Sequence, residues 1–134
     1  MRGKIISLKN MVIFDTNAVL RYVLQDNQEM ADRVEQQLSS NVCYIPVEVI
    51  AEIVYVLLKV YSIKRKTIAQ AVTYIIDTDN IRTAQYNVVH YAVGVFATST
   101  LDFVDCLLIG YAKEKQCSVF TFDKKLQKYL NEIK

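Results

Sequence analysis

The sequence predicts an α/β domain with a central, mostly parallel sheet covered by helices on both faces. Three observations predict it. Short apolar runs at residues 11–14, 42–45 and 118–121 alternate with longer segments of helical periodicity, the pattern of parallel strands joined by crossover helices. Two of these runs lead directly into an aspartate and then a helix, at Asp15 and Asp123, so both carboxylates belong at the carboxyl ends of strands, where sites form in such sheets. Three glycines, one proline and no repeat or low-complexity stretch fit one domain of 134 residues.

Each element has its own warrant. Residues 11–14 are apolar and end at Asp15, a buried strand. Residues 16–25 form a helix with Val19, Leu20 and Val23 on one side, and residues 29–38 a second, more polar one. Residues 42–45 are a strand. Pro46 suits the first turn of a helix, where its missing N–H costs nothing, and that helix runs to about residue 61. Residues 64–77 place Ile68, Val72, Ile75 and Ile76 at helical spacing. Residues 80–84 read as a short strand, 86–97 as a helix despite their valines, 101–115 as a helix, 118–121 as a strand and 123–130 as the last helix. Residues 1–10 read as an N-terminal extension ahead of the domain at 11–134, because Met11 is itself a possible start.

Composition narrows the function. Apolar residues make up 52% and charged residues 22%, with a net charge of +2, values of a folded protein that do not by themselves announce a nucleic-acid binder. The most apolar stretch, 47–61, is interrupted by Glu48, Glu52 and Lys59, so no membrane span is expected, and no signal peptide is evident at the N-terminus. Cys43, Cys106 and Cys117 are odd in number, match no zinc or redox spacing and sit among apolar neighbours; they read as buried free thiols in a reducing cytoplasm. Basic residues cluster at Lys59, Lys64, Arg65 and Lys66, at Lys113 and Lys115, and at Lys124, Lys125 and Lys128. They suit either solvated helix faces or a phosphate backbone.

Several chemistries are excluded. Three glycines, at 3, 94 and 110, make neither a phosphate-binding loop nor a dinucleotide fingerprint, and there is no G-x-S-x-G elbow. One histidine, His90, cannot form a histidine pair, and it reads as packed in an apolar helix. What remains is carboxylates, whose hard oxygens suit Mg²⁺ or Mn²⁺.

Each carboxylate has two readings. Asp15 and Asp123 are helix N-caps or metal ligands. Glu52 shares a helical stripe with Glu48, Tyr55 and Lys59: either the solvated face, or a carboxylate in a largely buried helix that needs a partner. Asp102 and Asp105 lie three apart on one helix face. Ser99 or Thr100 would cap that helix and leave Asp102 in its first turn, favoured by the helix dipole. Asp105 lies one turn deeper, before the apolar run Cys106, Leu107, Leu108, Ile109. Clustered without a cation, such groups raise one another's pKa.

These residues carry a family resemblance. Val12-Ile13-Phe14-Asp15-Thr16-Asn17, the stretch from Ile45-Pro46 to Ala51-Glu52-Ile53-Val54-Tyr55-Val56-Leu57, Leu101-Asp102-Phe103-Val104-Asp105-Cys106-Leu107-Leu108 and Val119-Phe120-Thr121-Phe122-Asp123 appear in order over about residues 11–130. Together they resemble PIN-domain ribonucleases, and within them the VapC-type toxin of VapBC toxin–antitoxin pairs. The resemblance implies a three-layer α/β/α fold and a metal-dependent endoribonuclease. Asp15, Glu52, Asp105 and Asp123 match the acidic quartet that holds Mg²⁺ (Mn²⁺ as substitute), and Asp102 matches a frequent additional acid. Thr16, Asn17 and Thr121 match the supporting polar residues. An RNA substrate, a VapB-like antitoxin and a homodimer are the implied partners, in the cytoplasm and away from membranes. The helices carrying Glu52 and Lys64 are the surfaces for dimer or antitoxin contact. Cys106 replaces a frequent alanine and Gly110-Tyr111 the usual small pair.

Three rivals remain. A stand-alone RNA-processing PIN nuclease would use the same residues. A phosphatase of the haloacid-dehalogenase type would use Asp15 as nucleophile, but carries a second aspartate where this chain has Asn17. A non-catalytic PIN-like binding module would have lost carboxylates, and all four stand here.

Overall fold

A computed structural model of the chain describes residues 7–134. The expected extension at 1–10 lies, for residues 1–6, outside the described residues. Residues 7–10 are exposed and turn into the first strand through a hydrogen bond from Met11 N to Leu8 O of 3.0 Å.

Three short strands form a parallel sheet in the order β1-β2-β3: β1 (Val12–Ile13), β2 (Cys43–Tyr44) and β3 (Ile81–Arg82). Val12 pairs with Cys43 and Cys43 with Ile81, so all three chains run to the same edge in one register. Bonds just outside the strands lengthen the ladder: Phe14 N to Tyr44 O at 3.0 Å and Ile45 N to Arg82 O at 2.9 Å. The central strand is the most enclosed, with Cys43 and Ile45 at 0% exposure, while Ile13 on the edge strand stays exposed.

Seven helices occupy the described residues: α1 (Thr16–Leu24), α2 (Gln28–Ser40), α3 (Val47–Lys59), α4 (Arg65–Ile76), α5 (Tyr86–Thr98), α6 (Phe103–Lys115) and α7 (Lys124–Glu132). With the sheet they make the three-layer α/β/α arrangement. Apolar periodicity explains the packing: Ile50, Ile53, Val54 and Leu57 of α3 and Ile68, Val72, Ile75 and Ile76 of α4 are all buried. Helices α5 and α6 are the most extensively packed pair. Gly110 makes that possible, because a Cβ there would lie 2.6 Å from the Val88 carbonyl oxygen.

Two expectations are corrected here. Residues 118–121 are not a strand. Among the described residues they make no backbone hydrogen bond to β1, so β1 remains a sheet edge. Period-two alternation survives, but inverted: Val119 and Thr121 are half-buried, whereas Phe120 and Phe122 point outward. A strand exists only through its neighbour's ladder, which local sequence cannot supply. The sixth helix begins two residues later than expected. Asp102 is extended (φ −62°, ψ 151°) at the N-cap position, and Asp105 becomes the acid of the first turn.

Candidate active site

The site is built from helix N-termini. After β1 the chain enters α1 at Asp15, whose side chain accepts from Ala18 N at 2.8 Å. After the 116–122 segment it enters α7 at Asp123, which accepts from Leu126 N at 2.8 Å. Both aspartates therefore do perform the capping role, each with one oxygen, and each leaves a second oxygen outside that bond. Thr121 supports Asp123 directly: its hydroxyl oxygen accepts from Asp123 N at 3.0 Å.

The expected residues fall into two groups. On one side, Thr16 donates its hydroxyl proton to Glu52, linking the start of α1, next to Asp15, to α3. Asn17 is exposed at the second position of α1. Glu52 is exposed too, as are Glu48, Tyr55 and Lys59. Of the two readings of Glu52 the solvated face is the one found: Ile50, Ile53, Val54 and Leu57 turn α3 inward, and this stripe lies on the exposed side.

On the other side, Asp102 and Asp123 act on Asp105. Burial pushes the Asp105 carboxyl above the ordinary aspartate range, and the negative charges of Asp102 and then Asp123 push it the same way. Among the described residues no cation neutralises the trio by ion pairing; the one ion pair there is Arg21 with Asp26 at 2.6 Å.

Arg65 sets the geometry of this group, a role the sequence did not reveal. It is half-buried, and its guanidinium donates to Phe96 O (3.0 Å), Ser99 O (2.7 Å) and Leu101 O (2.6 Å) while lying 4.0 Å from the centre of the Phe96 ring. It thereby clamps the turn between α5 and α6 that ends at Asp102. Lys125 fastens α7 to the same turn by donating to Thr100. By sequence Arg65 was one of a run of cations. Its fork-shaped donors, which can satisfy several carbonyls at once, are the only signal that set it apart.

Two further expectations change. Cys43 and Cys106 are buried, but Cys117 is exposed. Burial raises the Cys106 thiol to about 11, so it is inert at neutral pH. His90 is exposed and stacks on Tyr86 at 5.7 Å rather than packing into the core.

The donors fit a hard divalent cation in chemistry and in charge: all are carboxylate oxygens, and the trio around Asp105 carries unrelieved repulsion. They do not form a closed cage, since among the described residues no three His, Cys, Asp or Glu side chains converge tightly enough to hold a metal ion. No helix of the described residues is long and apolar enough to cross a membrane.

No curated protein and no solved structure matches the chain. The PIN domain family does match it, over residues 12–130. That span contains all three strands, the two capping aspartates, the Thr16–Glu52 link and the Asp102–Asp105–Asp123 trio, and on it the chain belongs to the PIN domain family.

Proposed function

We propose that this protein is a metal-dependent endoribonuclease that hydrolyses RNA phosphodiester bonds. PIN domains are generally nuclease-like, and one observation in this chain carries the reading. Asp105 is half-buried, burial and then the charges of Asp102 and Asp123 push its carboxyl toward the neutral form, and it has no ion-pair partner among the described residues. Such an arrangement costs stability and is relieved by a bound cation.

In this reading Asp15, Glu52, Asp102, Asp105 and Asp123 would supply the oxygens for Mg²⁺, or Mn²⁺ in its place, and binding has to draw them closer than their open spacing. When bound, the cation supplies an activated water and neutralises charge on the phosphate oxygens. The protein's own groups do the positioning. Thr16 orients Glu52, Thr121 holds the backbone at Asp123, and Arg65 holds the turn that carries Asp102. No covalent intermediate is needed.

Cleavage of labelled RNA with Mg²⁺, Mn²⁺ or EDTA, beside Asp15→Asn, tests the reading. Asn also caps helices, so the variant folds and only the charge is lost. Metal-dependent cutting that disappears in the variant is expected; full activity in Asp15→Asn sinks the proposal.

The open spacing of the carboxylates favours a second reading, a PIN-like module that binds without cutting. Absence of cleavage with any metal, by folded protein, would move the assignment there. The toxin role, with a homodimer and a VapB-like antitoxin in the cytoplasm, is the narrower proposal. Its support is the ordered motif set, and a short adjacent reading frame encoding a DNA-binding domain with a tail tests it.

A further inference from the structure

We propose that Phe120 and Phe122 form a base-stacking platform that seats single-stranded RNA beside the acidic trio. This rests on the nuclease reading and names how its substrate is held.

The chain has five phenylalanines. Phe14, Phe96 and Phe103 are at most 6% exposed; Phe120 and Phe122 are 87% and 86% exposed. Two almost wholly solvated rings at i and i+2, in edge-to-face contact at 5.1 Å, are an unfavourable use of apolar surface unless something covers them. Their position says what. Phe122 immediately precedes Asp123, whose charge acts on Asp105, so this ring stands one residue, about 3.8 Å of chain, from the first of the carboxylates. The segment is also bracketed by cations. Lys113 and Lys115 close α6 before it, and Lys124, Lys125 and Lys128 open α7 after it. All five are exposed, and none of them forms an ion pair among the described residues.

Charge complementarity commits the surface to one occupant. A nucleic acid offers π-faces to the rings and phosphates to the ammonium groups, the pairing by which single strands are bound without sequence readout. Only unpaired bases present those faces, so the strand is single. A second copy of this chain would cover the rings but set lysines against lysines.

The test uses the intact protein in EDTA, where no cutting interferes, and the anisotropy of a fluorescein-labelled oligoadenylate of about ten nucleotides. Phe120→Ala and Phe122→Ala are each expected to weaken binding by about tenfold, with thermal midpoint and salt slope unchanged, because stacking and not phosphate contact is lost. Phe120→Trp and Phe122→Trp are expected to retain binding. Equal affinity in the alanine variants overturns the platform, as does equal weakening on duplex RNA. A changed molar mass or midpoint in those variants also overturns it and assigns the rings to a protein surface. If the alanine variants bind normally while Asp105→Asn still abolishes cleavage, the platform alone fails. If the native protein neither binds nor cuts RNA, the nuclease reading fails with it.

Discussion

Replacing Arg65 by methionine removes the clamp on the α5–α6 turn while keeping much of the side chain's length. The structure sets the magnitude. Three hydrogen bonds from a charged donor are lost, at Phe96 O, Ser99 O and Leu101 O. Because the group is half-exposed and water replaces part of each bond, about 1 kcal/mol apiece is appropriate. The contact with the Phe96 ring adds about 0.5–1 kcal/mol. The total, about 3.5–4 kcal/mol, lies in the upper range for single substitutions. With an unfolding entropy of about 2.1 cal/mol/K per residue over 134 residues, the midpoint falls by about 12–14 °C. Calorimetry reads this directly. Arg65→Lys keeps the charge but not the fork, and recovers less than half. A midpoint within about 2 °C of the native value, combined with a shallower salt dependence of RNA binding, would refute the reasoning. It would return Arg65 to the phosphate-contacting surface.

Other outcomes follow from the same contacts. Asp105→Asn is expected to abolish cleavage and yet stabilise the fold at neutral pH. The Asp105 carboxyl is raised in the folded state, so its stabilising contribution is complete below the unfolded value of 3.8 and is lost as pH rises through the folded one. The variant's advantage therefore grows with pH and vanishes in acid, and denaturation midpoints at several pH values check it. Gly110→Ala drives a methyl against the Val88 carbonyl in the α5–α6 interface and is expected to cost about 3 kcal/mol, read by urea unfolding. Under native conditions a thiol reagent is expected to modify Cys117 quickly and to reach Cys43 and Cys106 only on unfolding; three equally fast thiols would contradict their burial.

Legibility differed by element for physical reasons. The helices were readable because their apolar spacing is local: α3 and α4 bury the residues their periodicity selects, with ends shifted by one or two positions. Asp15 and Asp123 were readable as caps because a cap depends on bonds within three residues. Residues 118–121 were not, since their strand character needed a neighbour. Glu52 stayed open between two readings because hydropathy cannot say which side of an apolar helix faces water. Cys117 was misjudged: it follows α6 in a segment that lacks a sheet partner to cover it.

The sequence by itself determined the α/β class, the order of the seven helices and of the first three strands, the exclusion of histidine-pair and phosphate-loop chemistry, and the ordered carboxylates of a PIN domain. All of these are written in composition or in spacings of a few residues. Only the tertiary structure decided that Asp102, Asp105 and Asp123 share one field while Glu52 answers to Thr16. It alone showed that Arg65 is spent on three carbonyls, and that two phenylalanines remain in water beside the acids. Those facts depend on groups up to 36 residues apart in the chain, and distance in space between such groups is set by packing rather than by any local preference.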